Sequence, residues 1–196
     1  MNETEWLTIT DGLRQLIPIH EFASIRKLRL IAAAVVRAVK ALPENRDGKA
    51  CDDMLEAAAD HPRSWPECEW ELYGRPGDWR FTRLLATDDP FQAAKELRKL
   101  IAMWVPSGRS REVVALNHDV LGNPFRPVAL DLAWLTSTVL TLAAGIYAER
   151  AFDRLPILAD ALQDVGCENA DILAHCRGPG PHVRGCWVVD LVLGKS

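Results

Sequence analysis

Apolar residues recur along this chain at helical spacing. From Ser24 to Leu42 they fall at Ile25, Leu28, Ala32, Val35, Val36, Val39 and Leu42, a rhythm that lays one apolar stripe along a helix. Ser24 supplies an N-cap, and Pro43 closes the segment. A polar stretch, 44–49, leads to a shorter helix over 50–59, stopped at His61-Pro62. Residues 62–90 read differently: Pro62, Pro66, Gly74, Pro76, Gly77 and Pro90 alternate with Trp65, Trp70 and Trp79. This is a connector with short helices near 67–73 and 79–85, pinned to the body because exposed indoles are costly. Asp89-Pro90 then opens a helix over 91–104, with proline in the first turn.

After the turn 105–108, a helix over 109–121 ends at Gly122-Asn123-Pro124, a strong stop signal. An extended stretch, 125–129, precedes a long helix from Trp134 to Glu149. The next helix, 152–165, carries Pro156 in its first turn and Asp153 as its expected N-cap. Helical segments over 168–177 and 186–193 finish the chain, joined by Gly178-Pro179-Gly180-Pro181. Sustained two-residue alternation is missing. The expected fold is therefore all-α: a compact helical domain with a short extended connector and a C-terminal helical hairpin. The pattern divides into an N-terminal half, 1–105, and a C-terminal half, 106–196, compatible with one shared core.

Composition narrows the function classes. Apolar residues at 48% and charged residues at 26% are ordinary for a globular chain and argue against disorder. A formal charge of −4 argues against general nucleic-acid binding, which needs a basic surplus. The start, MNETEWLTIT, has neither the basic nor the apolar region of a signal peptide. The charge-free run Leu132–Ala148 is shorter than the roughly 20 apolar residues of a membrane span. Five cysteines, an odd number, suit reduced thiols in the cytoplasm better than a disulfide framework. Phosphate-binding glycine loops, His-Glu-x-x-His and Gly-x-Ser-x-Gly are all absent from the sequence.

One region gathers potential ligands: Cys167, His175, Cys176, His182 and Cys186. Zn²⁺ takes four such donors in structural sites. The candidate set is Cys167, Cys176, His182 and Cys186, with His175 as an alternative to Cys176. Neighbours on a helix point about 100° apart, so His175 and Cys176 do not both serve one ion. His182 and Cys186 would share a face if that stretch were helical. Buried free cysteines are the competing reading. A thiol-dependent enzyme would use Cys176 or Cys186 with His182 as base. The loop from Arg177 to Arg184 also offers Arg177, His182 and Arg184 to an anion. Arg26, Arg29, Arg37 and Lys40 form a basic strip that could meet a nucleic acid or an acidic partner, or pair with internal carboxylates.

Several stretches resemble an uncharacterised bacterial protein family. They are Glu5-Trp6-Leu7, Thr10-Asp11 and Arg26-Lys27-Leu28-Arg29-Leu30, then GNPFRPV (122–128), WLTSTV (134–139), IYAERAFDRLPILADALQDVGC (146–167) and HCRGPGPHVRGCWVVDLVLGK (175–195). The likeness is almost continuous in the second half and patchy in the first. Where members often carry a cysteine pair, this chain has Ala34, Val35 and Val36. The resemblance implies no activity, cofactor or site residue. The expected function is a non-enzymatic interaction or regulatory module with another protein as partner, its seven tryptophans suiting binding hot spots, and with zinc as the one candidate cofactor.

Overall fold

The computed structural model describes residues 1–40, 56–60, 83–84 and 86–195. Among these the fold is all-α, with no strand. Helix α1 (Glu3–Thr8) starts at a capping box, in which Asn2 and Glu5 each accept from the other's backbone N–H. After α2 (Gly12–Gln15) comes α3 (Ile25–Lys40). Its middle, from Leu30 through Val36, is buried on every side. A single apolar stripe was expected there. Three consecutive alanines, 32–34, allow neighbours to approach closely, and the helix is surrounded as a result.

Helix α4 (Pro90–Trp104) has Asp89 as N-cap and Pro90 in its first turn, as the sequence predicts. Helix α5 (Ser110–Leu121) follows a short 3₁₀ turn and stops at Gly122, whose φ of 65° suits glycine. Helix α6 (Ser137–Glu149) begins three residues later than its expected start at Trp134. The Thr136 hydroxyl accepts from the Val139 N–H, and residues 132–134 form a separate 3₁₀ turn. Helix α7 (Leu155–Asp164) carries Pro156 in its first turn, but Asp153 does not cap it; Arg154 holds that position without a side-chain bond. Helix α8 (Ala170–Arg177) starts after Asn169, which accepts two backbone N–H groups, and α9 (Trp187–Leu193) follows Cys186.

Two apolar clusters organise these helices. The first gathers residues from Leu16 to Val120 around α3, α4 and α5. The second gathers residues from Val139 to Val192 on α6 through α9. Helix α5 touches α2 and α3 on one side and α9 on another. Polar groups collect where these two clusters meet. Among the described residues no helix is long and apolar enough to cross a membrane. The connector tryptophans Trp65, Trp70 and Trp79, the expected helix over 67–73, His61 and the Lys40 side chain lie outside the described residues.

Candidate metal centre

Helix α5 buries an acid where an acid is unwelcome. Asp119 lies in its last turn, 2% exposed, where the helix dipole disfavours negative charge. Among the described residues no lysine or arginine pairs with it; its partners are His175, His182 and one backbone amide. Burial pushes the carboxyl up, but the bonds to His175 and His182 outweigh that, and its pKa falls below the ordinary value. Among the described residues, the groups that can offset this charge are the two imidazoles.

The chain's last third brings three more groups to this carboxylate. His175 sits in the last turn of α8, and the helix ends at Gly178 because Pro179 and Pro181 cannot continue it. The loop doubles back through Gly180, at φ 85°, where an added Cβ would lie 2.9 Å from the His182 nitrogen. Residues 182–186 are not helical, so His182 and Cys186 do not meet as two positions on one helix face. They converge because the loop folds over. The Asp119, His175, His182 and Cys186 ligand atoms all lie within 4.8 Å of one another.

Hydrogen-bond polarity makes this arrangement informative. His182 Nε2 is 3.3 Å from the Gly178 carbonyl oxygen, and Nδ1 is 2.7 Å from Asp119 Oδ1. Both neighbours accept, so this geometry suits a doubly protonated His182, or a neutral one whose Nδ1 lone pair is turned to a cation shared with the carboxylate. Burial lowers the imidazolium's pKa, yet Asp119 raises it by more, and the net shift is upward. His175 Nε2 lies 3.2 Å from Asp119 Oδ1 and 3.2 Å from Cys186 Sγ. One nitrogen thus faces two lone-pair-bearing atoms. Asp119 Oδ2 accepts from the Val183 N–H at 2.8 Å, which leaves Oδ1 aimed at the group.

Cys186 forms the floor. It is fully buried, and burial pushes its thiol well above the ordinary value, while the Val188 and Val189 amides at the start of α9 work the other way. Trp187, next in the chain, packs tilted against His175, with ring centres 5.3 Å apart, and rests on Gly122. The Gly122 carbonyl in turn accepts from the Trp6 indole at 3.2 Å. A cavity of about 250 Å³ over the group is lined by Asp119, His175, His182, His118 and the Gly178–Pro181 loop.

Of the residues expected to bind metal, His182, Cys186 and the alternative donor His175 are in this group; Cys167 and Cys176 are not, and pack in the second apolar cluster, to which Cys186 also belongs. Burial pushes the Cys176 thiol up to about 12. Asp119 had not been singled out in the sequence. Its signal is an acid in the final turn of an amphipathic helix, beside the apolar face.

The basic candidates have internal partners. Arg177 donates to Asp160 and Gln163, each at 2.7 Å. Arg26 donates to Asp190 at 2.7 Å and Asp60 at 3.0 Å. Arg29, 4% exposed, donates to the Ala58 carbonyl. Arg37 and Arg150 both hold Glu56, and Arg184 donates to Asp60 at 2.9 Å. Lys27 pairs with Asp190, and the Tyr147 hydroxyl donates to Asp60. None of these acids had been assigned a role from the sequence. No family model matches the chain, and neither a curated protein nor a solved structure matches it.

Proposed function

We propose that this protein is a helical module whose C-terminal part is organised around one bound transition-metal ion, with Asp119, His175, His182 and Cys186 as ligands and Zn²⁺ as the ion. The observation that carries the reading is the focus of four lone-pair atoms within 4.8 Å, two of which belong to imidazoles already facing acceptors. Mixed nitrogen, sulfur and oxygen donors suit Zn²⁺, whereas Ca²⁺ and Mg²⁺ take oxygen. The charges also balance: one carboxylate and one thiolate neutralise a dication, with both imidazoles neutral. His182 would ligate through Nδ1 while its Nε2–H donates to Gly178, the outer bond that fixes a ligating imidazole. Four protein donors complete a tetrahedral sphere, which favours a structural role. The ion would clamp α5, α8 and the start of α9 together.

The thiol-enzyme alternative receives less support. A Cys-His-Asp relay needs the acid on the imidazole nitrogen remote from sulfur. Here sulfur and carboxylate meet the same His175 nitrogen, and His182 approaches Asp119 and Gly178. Elemental analysis of the purified chain tests the metal reading. The expected content is about one zinc per chain, with a thiolate charge-transfer band after exchange into Co²⁺. A chain that retains no metal and takes up neither ion overturns it.

A further inference from the structure

The five residues His182–Cys186 serve two buried clusters at once. His182 and Cys186 supply donors to the candidate metal group, and the Val183 N–H donates to Asp119. Arg184, between them, turns the other way. Its Nη2 donates to Asp60 at 2.9 Å, its Nη1 lies 3.5 Å from Glu56, and its guanidinium sits 4.5 Å from the Tyr147 ring centre. The Gly185 carbonyl accepts from Lys27 Nζ at 2.8 Å. The same ammonium donates to the Val120 carbonyl at 3.0 Å and pairs with Asp190. One lysine therefore grips the backbone beside two of the four donors, Asp119 and Cys186.

Slack in this link is small. Gly185 has φ 96°, and a Cβ placed there would come within 2.7 Å of Leu30 Cδ1, so the segment lies hard against α3. Across the link stand Glu56 and Asp60, one turn apart on helical residues 56–60, with side chains 2% and 6% exposed. Displacing His182 and Cys186 moves Arg184 and the Gly185 carbonyl, and both clusters then lose their geometry together.

We infer that metal loading of the Asp119 group and docking of helical residues 56–60 are one coupled equilibrium, carried by His182–Cys186 and Lys27, with the ion regulating how firmly that helix is held. The inference rests on the metal reading above. An ion that fixes positions 182 and 186 favours the state in which Arg184 meets Asp60 and Glu56. Linkage then requires those carboxylates to favour the ion equally.

Two measurements on the full chain test it. One is amide hydrogen exchange at residues 56–60 with and without Zn²⁺, a readout of local opening. The other is Zn²⁺ affinity by chelator competition for the wild type, the Glu56→Gln/Asp60→Asn variant and a surface control, Glu112→Gln. We expect Zn²⁺ to slow exchange at 56–60 by at least about fivefold and the double variant to bind about tenfold more weakly, in the usual range of coupling between sites. The control should bind like the wild type, and the Co²⁺ form of the double variant should keep its thiolate band. Wild type that binds Zn²⁺ without any change in exchange at 56–60 overturns the coupling and leaves the metal site standing. So does a double variant within about twofold of wild-type affinity. Failure of the wild type to bind any metal sinks the metal reading itself. Should the double variant not fold, the exchange measurement on the wild type decides.

Discussion

Around the start of α9 the protein buries two polar clusters side by side, and they handle charge in opposite ways. In one, Asp190, Asp60 and Glu56 are met by Arg26, Lys27, Arg37, Arg150 and Arg184. Each carboxylate has guanidinium or ammonium groups at hydrogen-bond distance, and Tyr147 adds a hydroxyl. In the other, a carboxylate, two imidazoles and a thiol face one another with no lysine or arginine among the described residues paired to the acid. Buried charges persist when paired, and an unpaired one is costly. The first cluster meets its acids with cations of the same chain. The second meets its acid with imidazoles instead, the arrangement on which the metal proposal rests.

Breaking the self-contained cluster should give the largest effect. Asp190→Ala leaves Arg26 and Lys27 facing each other in a buried place, and the loss should be about 3–5 kcal/mol in a denaturant titration. A loss below about 1 kcal/mol, the worth of a surface pair, would mean the cluster is solvated after all. If the second cluster holds zinc as proposed, stripping it should follow closely. Zinc at a thousandfold excess over its Kd stabilises by about 4 kcal/mol. For a chain of this length that is roughly 8–16 °C in Tm. An unchanged Tm on chelation would erase the contrast between the clusters.

Acid sharpens the comparison with the smallest effect. Burial pushes the Asp60 carboxyl up, but Tyr147, Arg26 and Lys195 pull it down by more, so its folded pKa lies below the ordinary value. A depressed carboxylate stabilises fully above its unfolded pKa, and that share is lost as pH falls through the folded pKa. The denaturant midpoints of wild type and Asp60→Asn should therefore differ at pH 5 and draw together as pH drops toward about 3, below the unfolded value. A gap that stays constant over that range would remove Asp60 from the ionic account.

The helices were legible because their signals are local. Asp89-Pro90 and Gly122-Asn123-Pro124 punctuate α4 and α5 where the backbone obeys them. The starts differ: Thr136 and Asn169 cap α6 and α8, so these helices begin at Ser137 and Ala170 and not at Trp134 and Glu168. Three of the four groups, His175, His182 and Cys186, were legible as donor types gathered close in sequence, although the helix face expected to join His182 and Cys186 does not form. Asp119 lies 56 residues before His175, and only tertiary packing on α5 brings it there. Cys176, though beside His175, points into the apolar cluster because one step along a helix turns a side chain by about 100°. The basic strip on α3 was visible as charge, but its partners at Glu56, Asp60 and Asp190 are long-range and left no local trace.

Gly185 carries a consequence of its own. Its backbone angle excludes ordinary side chains, and Leu30 fills the space that one would need. A saturation scan of the gene should show position 185 as a nearly empty row, intolerant even of alanine. Selection acting there would be policing the fit between a tail and a central rod, with no chemistry of the residue's own at stake.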